Sequence, residues 1–420
     1  MGKEAIKTTT FIGSLFVIDE MLLPVMHIAG LPIKLSYVFA LLWLFTFFLR
    51  RNIQGVDIEG RVSDRNSRNV LLCIFLLIGI SCISELILIT MTNVSSHAPF
   101  VDELVLFLFY FMCFGLGYSR RKFNYNIFVY VLIIYVMMNV LLTIFAQYIP
   151  NSIYNFFIHA NEYSDRSVGS GGNPNTTLLQ MNILLLAIVL FYKKKKLDMR
   201  GVSVWLVILL PFLLNIVISS RGEFIQTAIL ELVFIVEYLK RQNDPFKSLI
   251  KFIAVLAALF AGYLLVTRVL YYQYPEIRAA IDRIQKLQMI AAMEDSSVKE
   301  TSTLARPFIH FEEFISRFKH DPILGCGYSA GLESDFERAA IKYHNDIFSI
   351  LATTGIVGFV LWFNIIKRFI KVGAWFVLVP FFTSAITNTL LRSTHAINLY
   401  FFIFGMACRI YYEENLKAYE

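Results

Sequence analysis

His344 and Asn345 close a long hydrophilic stretch, and a nearly uninterrupted apolar run, Ile347 to Ile366, starts just behind them. An imidazole held where a water-facing loop meets a membrane-spanning helix can exchange protons near neutral pH; the competing reading is a capping or core histidine. Gly355 and Gly358 follow at helical spacing. Further back, Ser219-Ser220-Arg221-Gly222 is squeezed between two apolar runs with almost no loop. The next span begins there, so its free N–H groups and positive dipole end point outward with the guanidinium, which suits a pyrophosphate. Alternatively, Arg221 snorkels toward the headgroups.

A third polar segment ends Asp165-Arg166-Ser167-Val168-Gly169-Ser170-Gly171-Gly172-Asn173-Pro174-Asn175. Its glycines let the backbone approach a ligand, Pro174 biases Asn173 away from helix, and Arg166 offers a fork for phosphate or sugar hydroxyls. The plainer reading is a turn that caps the next span with Asn175. A fourth segment, from about Tyr271 to Asn345, is too long to be a connector. Ile277, Ile281, Ile284, Leu287 and Ile290 recur there at three- and four-residue spacing, as do Phe308, Phe311, Phe314, Ile315 and Phe318. Both read as amphipathic helices on the membrane surface or over the bundle, the aromatic stripe as packing against it. Arg306, Arg317 and the turn Asp321-Pro322-Ile323-Leu324-Gly325-Cys326-Gly327 come with them. Arg306 reads equally as a structural ion pair or a substrate contact.

The elements that must hold these residues follow from composition. With 57% hydrophobic against 16% charged residues, the chain cannot hide its apolar side chains in one soluble core. A bilayer core needs roughly 20 apolar residues per helix, and about twelve candidate spans fit. They lie near 10–30, 32–49, 70–92, 102–118, 127–148, 176–192, 202–219, 223–239, 250–270, 346–366, 373–391 and 394–411. The organisation expected is therefore 1–270, spans one to nine with short loops and an outer loop at about 149–175; 271–345, a large, partly helical outer loop; and 346–420, spans ten to twelve and a tail.

Arg50/Arg51/Arg61/Arg65/Arg68, Arg120/Arg121/Lys122, Lys193 to Lys196, Lys240/Arg241/Lys247 and Lys367/Arg368/Lys371 fall in loops on one side, which the positive-inside rule makes cytoplasmic. The net charge of +7 therefore reports topology, and its scatter over separate loops excludes a nucleic-acid patch. Both termini are expected in the cytoplasm. No cleavable signal peptide is expected, because Asp19-Glu20 interrupts the first apolar stretch. The cysteines, Cys73, Cys82, Cys113, Cys326 and Cys408, offer neither a disulfide framework nor zinc spacing in the outer loop.

Arg166 to Asn175, Ser219 to Gly222, Asp321 to Gly327, and His344-Asn345 followed after nine residues by Gly355 and after two more by Gly358 resemble, in that order, motifs of the O-antigen polymerase (Wzy) and O-antigen ligase (WaaL) superfamily. The resemblance runs from about 160 to 365; elsewhere it consists of hydrophobic spans alone. It implies an all-α polytopic integral membrane protein of GT-C-like glycosyltransferase architecture, using no metal or nucleotide-sugar cofactor. Donor and acceptor are glycans on undecaprenyl diphosphate at the periplasmic face of the inner membrane. His344, Arg221 and Arg306 take the catalytic roles; Arg166, Asn173, Asn175, Asn345 and Gly222 line the substrate site. A chain-length regulator is a possible protein partner, and nucleic acid is not expected. The segment Leu31 to Tyr37 resembles the openings of polymerases, which favours polymerase, whereas the His-Asn spacing is the pattern quoted for ligases. A lipid-linked sugar flippase is the reading from another class, with Glu85 and Glu231 as its mid-span acids; no internal repeat supports it.

Overall fold

Apolar runs punctuated by polar or basic breaks dictate a chain of long helices, and the computed structural model has them. It describes residues 3–23, 26–28, 31–42, 65–91, 94–96, 98–119, 123–144, 174–199, 201–218, 221–248, 250, 253–254, 311–328, 330–331, 346–381 and 394–419. In chain order these include α1 (Lys3–Leu22), the strands β1 (Met26–Ile28) and β2 (Leu31–Ile33), α2 (Arg65–Met91), β3 (Val94–Ser96), α3 (Ala98–Tyr118), α4 (Asn126–Ile144) and α5 (Pro174–Lys193). After these come α6 (Val202–Ile218), α7 (Arg221–Leu239), α8 (Phe311–His320), β4 (Ala330–Gly331), α9 (Asp346–Gly373) and α10 (Thr394–Tyr419).

Among the described residues five helices are long and apolar enough to cross a membrane: Arg65–Thr90, Phe100–Tyr118, Asn126–Thr143, Asn175–Lys193 and Asp346–Gly373. The protein is an integral, multi-pass membrane protein. Side chains such as Phe75, Leu86, Leu232 and Phe363 stay exposed on helix flanks, as surfaces that meet lipid tails do. The spans expected at 70–92, 102–118, 127–148, 176–192, 202–219, 223–239, 346–366 and 394–411 each coincide with a helix. Expected span 10–30 is helical only as far as Leu22: a hairpin pairs Met26 with Ile33 and Ile28 with Leu31. Pro24, which cannot continue the hydrogen-bond ladder, stands at that break. Of the expected span 32–49, residues 35–42 are helical and 43–49 lie outside the described residues, as does most of 250–270 and 373–391.

The chain forms two compact units, Met1–Asn124 with Thr303–Glu420, and Tyr125–Ser302. In the first, α3 runs parallel to α10 at close range. A Cβ on Gly117 would stand 2.0 Å from the Phe402 carbonyl oxygen, and one on Gly405 2.1 Å from that of Phe114, so only glycine admits this approach. Aromatic rings fill the seam, with Tyr110 stacked on Phe401 at 4.8 Å. Antiparallel to α2, α9 brings Arg368 Nη1 to Asn66 Oδ1 at 2.7 Å, so the basic clusters at Arg65/Arg68 and Lys367/Arg368 share one end. At the other end β3 and β4, more than two hundred residues apart in sequence, pair antiparallel.

In the second unit α5 is the central helix, 89% buried across its apolar window, with α4, α6 and α7 around it. Asn182 meets Glu223, Tyr192 meets Phe234 and Lys193 meets Glu237, so α5 and α7 run side by side in the same direction.

Candidate functional site

The first unit contains a joint between the Asp321 to Gly327 turn and a break in α9. At Gly355 the backbone adopts φ 64° and ψ −166°, which ends one helical segment and starts another. Such a break strands carbonyls above it and N–H groups below it, and both must be satisfied at membrane depth. The turn supplies the partners. Cys326 N donates to Ala352 O at 2.9 Å and Gly327 N to Thr353 O at 3.1 Å; in return Ile356 N donates to Pro322 O at 2.9 Å and Val357 N to Ile323 O at 3.1 Å. Asp321 Oδ1 holds the turn by accepting from Ile323 N at 3.0 Å and Leu324 N at 2.8 Å. From α2, Ser84 Oγ donates to the Leu324 carbonyl and Glu85 Oε2 accepts from Tyr328 N at 3.2 Å.

The glycines of two motifs meet here. A Cβ on Gly325 would lie 2.4 Å from the Thr353 carbonyl carbon, and one on Gly355 2.3 Å from the Ile323 carbonyl oxygen, with both at positive φ. Gly358 is tight as well: a Cβ there would strike both the hydroxyl and the Cβ of Thr354, and rotation of that side chain cannot move its Cβ away. Gly355→Ala is therefore expected to cost on the order of 1–3 kcal/mol from backbone strain alone, with the carbonyl clash added. Thermal unfolding in detergent should show a clear loss for Gly355→Ala.

The joint fixes the half-helix Asp346 to Thr354, which directly follows His344 and Asn345. Those two residues and Arg306 lie outside the described residues. Against this half-helix sits α8, with Phe314 stacked on Phe348 at 4.5 Å and Ile315 and Phe318 packed nearby. The aromatic stripe therefore packs against the bundle, and Arg317 of the same helix is fully buried. The other stripe, 277–290, lies outside the described residues. Burial pushes the Cys326 thiol up, the Asp321 backbone and Arg317 opposing it, so this cysteine is a poor nucleophile. Its backbone does the work.

In the second unit two motifs lead into neighbouring helices. Asn175 stands in the first turn of α5, while Arg221 and Gly222 open α7; Arg166 and Asn173 lie outside the described residues. A chain of buried hydrogen bonds ties the two helices. Asn182 Nδ2 donates to Glu223 O at 3.1 Å and more weakly to its Oε2 at 3.4 Å. Thr227 Oγ1 reaches Asn182 Oδ1 at 2.7 Å and Asn215 Nδ2 of α6 donates to Thr227 Oγ1 at 2.8 Å. Tyr135 Oη of α4 donates to Gln180 Oε1 at 2.8 Å. Sequence reading missed Glu223, Asn182, Asn215 and Thr227. The available signal was an acid two residues past Arg221, with single amides inside otherwise apolar runs.

The parallel α5 and α7 place two helix N-termini, and the Arg221 position, at one end of the second unit of this multi-pass membrane protein. Residues 206–363 match the Wzy_C family model, described as O-antigen ligase. The chain thus carries a domain of the O-antigen polymerase and ligase superfamily, as the ordered motifs imply. The match takes in Arg221, Arg306, the 321–327 turn, His344 and the α9 break, but not Arg166 to Asn175. No curated protein matches the chain.

Proposed function

We propose that this protein is an O-antigen polymerase, joining undecaprenyl-diphosphate-linked repeat units into a surface polysaccharide at the periplasmic face of the inner membrane. The observation that carries the reading is Arg221 at the start of α7, beside the parallel α5 and inside the family match. As the acceptor hydroxyl oxygen bonds to the anomeric carbon, the bond from that carbon to the diphosphate oxygen breaks and its electron pair stays with the leaving group. Arg221, with Arg306 and the α5 and α7 N-termini, neutralises that growing charge, a task suited to pre-positioned cations in a low-dielectric site. His344 takes the acceptor proton. Arg166, Asn173, Asn175, Asn345 and Gly222 hold glycan and phosphate. About twelve spans in a GT-C-like arrangement and a chain-length regulator belong to this proposal.

The competing reading is the ligase, which moves the finished chain to lipid A-core. The matched family's description and the His-Asn spacing favour it. For the polymerase stands the Leu31 to Tyr37 segment, where Lys34 Nζ donates to Asp19 O at 3.1 Å and Glu20 O at 3.0 Å and Ser36 N to Asp19 Oδ2 at 2.6 Å. Purified protein given the lipid-linked repeat unit alone should build a polymer ladder. Product that forms only when lipid A-core is added would replace polymerase by ligase. Against the flippase reading, four of the backbone groups freed at the Gly355 break, Ala352 O, Thr353 O, Ile356 N and Val357 N, bond to the 322–327 turn.

Orientation is testable on the same protein. Asn66 is buried against Arg368 and makes a poor reporter, whereas Asp102 and Lys195 are exposed. In a cysteine-free variant, Asp102→Cys should react with an impermeant thiol reagent on intact spheroplasts and Lys195→Cys only after permeabilisation. The reverse pattern would invert every assignment above.

A further inference from the structure

Glu85 is an acid inside α2 that the chemistry proposed above leaves without a task. It is 2% exposed and stands in the last two turns of the helix, where an ionisable group needs a reason to be. What it meets is the segment that joins the 321–327 turn to β4. Its Oε2 accepts from Tyr328 N at 3.2 Å, and its neighbour Ser84 donates through Oγ to the Leu324 carbonyl. Between these two bonds Gly327, at φ 72°, lies flat on α2. A Cβ there would stand 2.9 Å from Glu85 Oε2 and 3.1 Å from both Glu85 Cα and the Ser84 carbonyl oxygen. Leu88, further along the same helix, is buried with Cys326.

The other edge of the turn carries α9. Ile356 N and Val357 N bond to Pro322 O and Ile323 O, so the ladder of α9 is interrupted and its outer half, Asp346 to Thr354, leans on the turn instead. The turn is thus a wedge, with Gly327 against α2 and Gly325 against the broken helix. Both faces meet backbone at close range, which leaves no side chain to take up slack, and such packed contacts transmit displacement. All these links lie in the first unit. We propose that Glu85 is a positioning residue: by holding Tyr328 and the wedge to α2, it fixes the outer half of α9. Resting on the reading above, the group so placed is His344, which precedes Asp346 by two residues in the same unit. Such placement matters, because a misplacement of about 1 Å caused far from the chemistry can cost on the order of a hundredfold in rate.

The mechanical link and its chemical use are measured separately. In amide hydrogen exchange of the whole protein in detergent, Glu85→Ala should speed exchange about tenfold over 347–354 and leave 359–373 unchanged. Glu85→Gln keeps an acceptor oxygen and should exchange like wild type. Equal exchange over 347–354 in Glu85→Ala and wild type overturns the link. In single-turnover glycan transfer, at a temperature where each variant is folded, Glu85→Ala should slow the saturated rate about tenfold or more with half-saturation by the lipid-linked repeat unit unchanged. Glu85→Gln should recover most of that rate. In a His344→Ala background Glu85→Ala should cost nothing further, because a base already absent cannot be misplaced. Losses that multiply instead overturn action through His344. If Glu85→Ala does not accumulate, Ser84→Ala, which removes the bond to Leu324, carries the same expectations. Wild-type protein that transfers no lipid-linked glycan, while exchange over 347–354 still responds to Glu85→Ala, would sink the enzymatic reading and leave the link standing.

Discussion

Arg221→Ala is expected to lower glycan transfer by roughly a hundredfold or more, the scale seen when one fixed donor to a developing negative charge is removed. Membrane insertion and accumulation should stay near wild type, because Arg221 occupies the first position of α7 and the helix is anchored below it by the Asn182, Thr227 and Asn215 bonds. Arg221→Lys should recover little: an ammonium is a point charge and cannot replace a planar fork against phosphate oxygens. The measurement is transfer from a lipid-diphosphate glycan by purified protein in liposomes, with protein amount fixed by immunoblot. Full activity in Arg221→Ala would reduce the residue to an anchor at the headgroups.

His344→Ala should slow the chemical step by a factor of about a hundred or more while donor binding persists, as loss of a general base does. The pH profile gives an independent check with a defined sign. A base must be unprotonated to act, so wild-type rate should fall as the pH drops through about 6.5, the ordinary range for imidazole. In His344→Ala that limb should vanish and leave a low, flat rate. Near-normal polymer from His344→Ala or His344→Gln would make the histidine a cap, and attention would pass to Glu162, Asp165 and Asp346. Asp346, at the head of α9, is itself buried.

The spans were legible because a run such as Val202 to Ile218, without a charged residue, has one stable home. Their neighbours were not. A helix apolar all round gives no periodic hint of which face meets lipid and which meets protein, so the central place of α5 is absent from its sequence. The role of Gly355 was equally hidden. Its spacing to Gly358 suggests one motif, yet the nearest constraint on Gly355 is Ile323, more than thirty residues upstream and on another element. Backbone-to-backbone joints leave no side-chain pattern except glycine itself. Glu223 was overlooked for a related reason: an acid at the edge of a span looks like a boundary until Asn182 is found beside it.

The order of the two units along the chain has a consequence for biogenesis. Tyr125–Ser302 is continuous, so its helices can find one another as soon as they leave the ribosome. The other unit is split by this insertion, and α3 gains its glycine-lined neighbour α10 only after the whole insert has been made. Until then the notch at Gly117 lacks the helix that it is cut to receive. Chain order thus lets the insert assemble first, while the seam at Gly117 and Gly405 must wait for two pieces of chain made on either side of it.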